Sequence, residues 1–438
     1  MSAETVNLRE KARRCGVVGA GGAGFPTYKK LERSVDTFIL NAAECEPLLH
    51  KDKELMKAYP DRIVSGIVSV MQAVGAQQGI VGIKYKYREV IENLSAHLPS
   101  FIHLCELGDH YPAGDEFILV HDVTGRVIRP RQLPPDVGVL VQNVETILNL
   151  ANGRPVTTKF LTVAGAVASP ATVQVPIGMS FRETVDLAGG PTVTDPVVLS
   201  GGVMMGRLHE DLSDPVTKTT GGLIVLPRDH FVSRRYLMDQ TTINRIGRSA
   251  CDQCSFCTEM CPRYLLGHPI EPHKAMRTLG FLDDALGHLL GTEFCCECNL
   301  CTMYACPEDL QPKDACVRGK MIVRKSGFRW TPPAAPSDPH PLIRDRKIPV
   351  SNLMRKLGLT VFENTGPLRA DIPEPVRVDI PLSQHVGAPA TPTVKVGDRV
   401  RTGDVIGEVP EGQLGCPVHA SMDGVVTAVS NSVVIEHR

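Results

Sequence analysis

The chain runs to 438 residues, enough for roughly three domains with separate cores. Its 47 lysines and arginines stand against 48 acids, a balance that leaves no field to recruit nucleic acid or an anionic membrane surface. No apolar run approaches the length that spans a bilayer, and the opening MSAETVNLREKARRCG lacks the apolar core of a secretory signal, so the sequence predicts a cytoplasmic protein.

Residues 15–31 read CGVVGAGGAGFPTYKKL. Gly19-x-Gly21-x-x-Gly24 has the form of a dinucleotide-binding fingerprint, with Glu44 twenty residues beyond it. The strand before it is short (Val17, Val18), and glycines make plain turns too. A backbone free of side chains nonetheless presents N–H groups to a phosphate, with Lys29 or Lys30 adding charge. A strand over Thr37 to Leu40 leads into Asn41-Ala-Ala-Glu44-Cys-Glu46-Pro47, where two carboxylates sit close together on a loop; a solvated acidic turn is the ordinary explanation. Apolar spacing (Ile63, Ile67, Val70, Met71, Val74) predicts helices over 60–78 and 86–98, alternating with strands near 79–83 and 101–105, which makes this an α/β domain. Tyr111-Pro-Ala-Gly114-Asp115-Glu116 follows. Gln142-Asn143-Val-Glu145-Thr146 then opens a helix, where an Asn or Thr either caps the helix or bonds a ligand.

GAGGAGFPTYKK, NAAECEP, YPAGDE and QNVET occur in the same order as in the flavin-binding subunit of respiratory complex I and its hydrogenase relatives. The wording is more similar still to the RnfC component of Rnf electron-transport complexes and to the cobalamin reductases of propanediol-utilisation microcompartments. The resemblance covers Gly16 to about Asn152 and implies a Rossmann-like domain for FMN and NADH. By position it places FMN against Gly19, Gly21, Gly22, Lys30, Asn41, Asp115, Asn143 and Thr146. It places the adenine of the nicotinamide nucleotide on Phe25, and its ribose or carboxamide near Glu44, Glu46 and Glu116. Two positions depart from the complex I pattern: Ala43 replaces an acid, and Asp115 is one methylene shorter than the usual glutamate.

Residues 158–230 alternate as short strands with one helix at 180–188 and resemble the soluble-ligand-binding β-grasp (SLBB) module of the same families. The glycine-rich stretch Gly201 to Gly206 either lines a ligand groove or makes a tight connection against the flavin domain. Beyond it, Cys251-x2-Cys254-x2-Cys257-x3-Cys261-Pro is the bacterial ferredoxin run for a four-iron cluster, and Cys295-x2-Cys298-x2-Cys301-x4-Cys306-Pro repeats it with one residue more before the last ligand. In two-cluster ferredoxins the distant Cys-Pro serves the other cluster. The spacing therefore assigns Cys251, Cys254, Cys257 and Cys306 to one cluster and Cys295, Cys298, Cys301 and Cys261 to the second. Cys295 and Cys296 compete for one corner, and spacing favours Cys295. A zinc ribbon would strand four of these thiols, and a disulfide framework needs an oxidising compartment. Helical spacing between the runs (Met276, Leu279, Leu282, Leu286, Leu289, Leu290) predicts a helix or helical pair, with His268 and His273 as packing or surface residues.

The proline-rich TPPAAPSDPHPLIRDRKIP reads as a linker or wrapping arm. From Thr391, VKVGDRVRTGDVIGEV and CPVHASMDGVVTAV resemble the halves of a barrel-sandwich hybrid, whose hairpin Pro410 to Pro417 carries no lysine for a swinging arm. The predicted organisation is thus a multidomain α/β protein: flavin domain 1–155, β-grasp domain 156–231, helical two-cluster domain 232–330, arm 331–390 and barrel 391–438. It implies an oxidoreductase that takes electrons from NADH through FMN and two 4Fe-4S clusters to a corrinoid or a protein acceptor such as an adenosyltransferase, inside a microcompartment; no general acid or base is nominated. The alternatives are an Rnf-like component serving a membrane complex, and a scaffold or corrinoid-binding chaperone braced by its clusters.

Overall fold

Four parallel strands organise the first unit, in the order Ile102–Leu107, Gln78–Lys84, Thr37–Ala42, Val139–Asn143. The computed structural model describes residues 3–281, 286–328, 330–331 and 338–437; Leu282 of the predicted inter-run helix and residues 332–337 of the arm lie outside them. The strands are near-continuous apolar runs because helices cover both faces of the sheet. Helix Pro60–Val74 buries Ile63, Ile67, Val70, Met71 and Val74, the predicted stripe, and stops at Gly75 with φ 76°. Each such side chain stabilises the core by about 1.5–3 kcal/mol. Asn41 and Asn143 sit side by side in the register of the two adjacent strands, at their carboxyl ends, where open α/β sheets leave a crevice.

The glycine fingerprint departs from the βαβ pattern it formally matches. Val18 makes only an isolated bridge to Pro26, and the helix that follows, Thr27–Lys30, is a single turn. No helix N-terminus of useful length stands behind the glycines. The turn is fixed instead by side chains from distant elements.

The second unit is a five-stranded sheet, Ala171–Pro176, Thr158–Gly165, Gly222–Pro227, Pro196–Ser200 and Arg207–His209 in spatial order. Its helix Phe181–Asp186 starts in a capping box, with Ser180 and Glu183 each satisfying the other's backbone N–H. The cysteine runs lie among helices Gln240–Ala250, Pro272–Phe281, Leu286–Leu289 and Pro312–Ser326, around a core of Met276, Leu279, Leu289, Cys316 and Val323. His268 packs between the rings of Phe117 and Phe294 and bonds Ile128 O, as a structural histidine does.

The arm crosses back over the earlier units. Ile348–Pro349 pairs antiparallel with His110–Tyr111, Asn364 meets His50 at 3.0 Å, and Leu368 bridges to Thr172. Arg377–Pro381, which the sequence places in the arm, is a strand of the barrel: it pairs with Ser432–Glu436. The hairpin that lacks a lysine is no arm at all. Cys416 is fully buried with its thiol toward Val17 O, and Val386 N donates to Gly24 O at 3.0 Å, so the barrel backs the glycine turn.

Candidate functional site

All the residues that the resemblance assigns to FMN or the nicotinamide nucleotide line one cavity of about 930 Å³. That volume suits a cofactor with a second ligand beside it. Another cavity, of about 890 Å³, is lined by Asp61, Arg62, Asn152 and Arg154 and carries neither glycine turn nor thiols. Chemistry therefore selects the first.

On the flavin side, Gly22 has φ 113° and open space where a Cβ would stand, a conformation that favours glycine and leaves backbone facing the void. Ala20 N donates to Thr146 Oγ1 at 2.9 Å, and Ala20 O receives Lys159 Nζ at 3.0 Å. Lys159 and Lys51 flank Glu145, which is 1 % exposed and also accepts Phe160 N. Burial draws the Lys159 amine down to about 8, while the two ammonium groups hold the Glu145 carboxyl low despite its own burial. Asn143 caps helix Val144–Asn152 through Glu145 N and donates to Asp52 Oδ2 at 2.7 Å. From behind, Lys218 Nζ donates to Gly16 O and Pro417 O at 2.9 and 3.0 Å, fastening the turn to the barrel.

The acids are differently employed. Glu44 accepts the N–H groups of Asp52 and Lys53, and Glu46 those of Met204 and Met205. Burial pushes both carboxyls up to about 7, with the charge of Asp52 adding to the shift at Glu44. Lys30 pairs with Glu116 at 2.8 Å, Asn41 donates to Gly114 O at 2.8 Å, and Asp115 caps helix Glu116–Thr124. On the β-grasp wall Ser200 Oγ, His209 and Asp214 form a hydrogen-bonded chain of 2.9 and 2.5 Å. The N–H after Ser200 is spent on Gly222 O, so the chain fastens strands and has no oxyanion donor at that position.

The cysteine runs repeat one backbone. Gln253 and Ser255 have φ 62° and 65°, and their counterparts Glu297 and Asn299 have 59° and 64°. Non-glycine residues in this region are strained, and the same strain at matching places marks two loops wound for the same purpose. It also pairs Cys295, not Cys296, with Cys251. The extra residue of the second run is taken up by a π-helical turn, Cys301–Ala305, with Cys306 N donating to Cys301 O at 3.2 Å. The neighbours of the Cys257 thiol are Cys306, Cys251 and Cys254, which with burial push it up to about 12. Those of Cys301 are chiefly Cys295 and Cys261. Among the described residues no three ligating groups close on one point as a single ion requires; a cubane instead spreads four thiolates over four separated irons. Eight thiols on two matching loops fit two 4Fe-4S clusters.

Sequence reasoning did not find the residues joining the halves. Arg263 and Cys296, both from the cluster module, line the same cavity, and Tyr111 of its wall donates to Cys298 O at 2.7 Å. Cys296 stands beside Cys298, and Cys295 is drawn down to about 7, chiefly by a hydrogen bond from buried Cys316.

Four family models match stretches of the chain. Residues 12–152 match the Nuo51 FMN-binding domain, 160–208 the SLBB domain, 250–311 a 4Fe-4S dicluster domain and 364–438 the RnfC barrel sandwich hybrid domain. FMN and 4Fe-4S clusters are thus the cofactors of this chain. The RnfC-type component of the Na(+)-translocating ferredoxin:NAD(+) oxidoreductase complex of Acetobacterium woodii is 33% identical, over 59% of this chain and 58% of that one. Among solved structures, an NAD+-reducing NiFe-hydrogenase in its H2-reduced state shares the fold, with TM-score 0.51 and 22% identity over 73% of this chain and 61% of that chain. Cobalamin reductase PduS of Salmonella typhimurium is 45% identical over 99% of this chain and 97% of its own length, and that of Citrobacter freundii 44% identical over 98% and 95%. Matched from end to end in this way, the chain belongs to the PduS family of cobalamin reductases.

Proposed function

We propose that the chain draws electron pairs from NADH and delivers single electrons through two clusters to a corrinoid, the acceptor for which its PduS relatives are named. The observation that carries this reading is the shared cavity, with the glycine turn as one wall and Arg263 and Cys296 of the cluster module as another. FMN, when bound, converts the paired electrons of a nicotinamide into the single electrons a cubane accepts. The backbone of Gly19, Gly21 and Gly22 with Lys30 receives the phosphate; Asn41, Asn143 and Thr146 border the ring system, and Asp115 acts there through its partner Arg263. Phe25 offers a face to adenine. Glu44 and Glu46 spend their carboxylates on backbone N–H groups, so Glu116, with its side chain 41% exposed, is the acid left to meet a ribose.

Cys261, Cys295, Cys298 and Cys301 hold the cluster nearer the cavity, because Arg263 and Cys296 adjoin them in sequence. Cys251, Cys254, Cys257 and Cys306 hold the outer one, and exposed Cys254 marks the exit. Anaerobic stopped-flow mixing with NADH tests the entry: flavin absorbance bleaches first and the cluster band after it. An unbleached flavin refutes the NADH step. Reduced centres that leave cob(III)alamin untouched refute the corrinoid step.

A second reading rests on the RnfC-type barrel and the 33% identity to the Acetobacterium woodii protein: the chain docks on a membrane complex. Among the described residues no helix is long and apolar enough to cross a membrane. Co-purification with membranes supports docking. Recovery with microcompartment shell proteins and an adenosyltransferase supports the first reading.

A further inference from the structure

Arg263 stands where the flavin half and the cluster half meet. It follows Cys261 by two residues, in the one-turn helix Pro262–Leu265, and is 8% exposed. Nη2 donates to Asp115 Oδ2 at 2.8 Å, the guanidinium carbon lies 3.6 Å from the centroid of Phe117, and the Cys296 sulfur is beside it. Neither Nε nor Nη1 has a hydrogen-bond partner among the described residues. The guanidinium and these three neighbours all line the cavity.

Two charged donors without acceptors are costly inside a protein, so an anionic or strongly polar acceptor belongs beside them. Asp115 does not serve the ligand itself. Its Oδ1 accepts Phe117 N and Ile118 N, and its Oδ2 accepts Arg263, so both oxygens are engaged. Asp115 and the guanidinium thus stand in the wall together, as an ion pair. Hydride transfer from NADH adds two electrons and one proton to the flavin, which gains one negative charge as NADH becomes NAD+. A fixed cation there binds the charged form more strongly than the neutral one.

We propose that Arg263 is the positioning residue that recognises the reduced, anionic flavin: Asp115 and Phe117 hold its guanidinium so that the free donors would face the charge the flavin gains on reduction. This rests on the cavity being the FMN site. It raises the flavin potential relative to free FMN, beside the cluster that takes the electrons away.

The test compares wild type, R263Q, R263K, D115N and R263Q/D115N, all as full-length, cluster-loaded protein. Binding of oxidised and of dithionite-reduced FMN is titrated anaerobically, and the midpoint potential of bound flavin is measured. R263Q should lose about tenfold more affinity for reduced than for oxidised FMN, a fall of ~30 mV for a two-electron couple. R263K should keep most of that preference, and R263Q/D115N should stay as low as R263Q. An unchanged ratio in R263Q overturns the assignment, and so does recovery in the double variant, which would make unpaired Asp115 the agent. Should R263Q fail to fold, D115N carries the test: a guanidinium freed from its carboxylate should favour reduced FMN further, and an unchanged ratio overturns the proposal. Wild-type protein that binds FMN in neither state removes the flavin reading instead.

Discussion

Replacing Cys306 removes one corner from whichever cluster it serves, and pairing that change with a second one shows which. The Cys257 thiol has Cys306, Cys251 and Cys254 for neighbours, whereas Cys301 has Cys295 and Cys261 foremost. We propose on this ground that the two fourth ligands are crossed. A fully loaded chain holds about eight irons, four to each cubane. C254A and C306A should each leave about four. The double variant C254A/C306A should also leave about four, because both changes strike the same cluster, while C254A/C261A should leave almost none. Iron and sulfide per chain after anaerobic reconstitution give the count. Electron paramagnetic resonance of the reduced protein gives the second readout, because two interacting spins become one. Iron-free C254A/C306A beside half-loaded C254A/C261A would refute the crossing, and with it the compact arrangement of the relay.

Other perturbations probe the cavity and the groups that stand behind it. Burial draws Lys218 down to about 8 from 10.5 in a free chain, so its contribution is present above pH 10.5 and lost as pH falls through 8. Relative to K218M, wild type should weaken by about 3 kcal/mol over that window in denaturant midpoints; a flat difference refutes a buried ammonium. Glu46 is the opposite case: raised from 4.5 to about 7, it stabilises below pH 4.5 and ceases to do so as pH rises through 7. Flavin-free wild type should lose about 3 kcal/mol against E46Q across that interval, and parallel pH curves for the two proteins would refute this. E145Q leaves Lys51 and Lys159 without their shared counter-charge, and a loss of about 3–5 kcal/mol with weaker FMN binding is expected. A loss below about 1 kcal/mol would mean that the triad is not closed in solution.

What could be read in advance was whatever is local in the chain. The 3.6-residue stripe of Pro60–Val74 and the cysteine spacing each express one short segment's own geometry, and the structure follows them. Residues of the four ordered motifs line one cavity, because resemblance carries positions that spacing alone does not. Pairs from remote segments left no local signal. Lys159 meets Ala20 across 139 residues, and Arg263 meets Asp115 across 148. A lysine in a strand reads as a solvated face until its carboxylate is seen. Glu44 and Glu46 show the converse, since their loop looks solvent-facing, yet both carboxylates are half-buried and engaged by backbone N–H groups. The surplus residue of the second cysteine run looked like an irregularity; a π turn absorbs it without moving the ligand.

The contact between the glycine turn and the last barrel also orders events on the ribosome. Val17 and Cys416 stand 399 residues apart, so at about 5–20 residues per second the nascent turn waits roughly 20–80 s for its support. Until then an emerging chain has Gly16 and Gly24 without the lysine and barrel strands that pin them. A cofactor that met the turn before the barrel had emerged would find its seat without that backing.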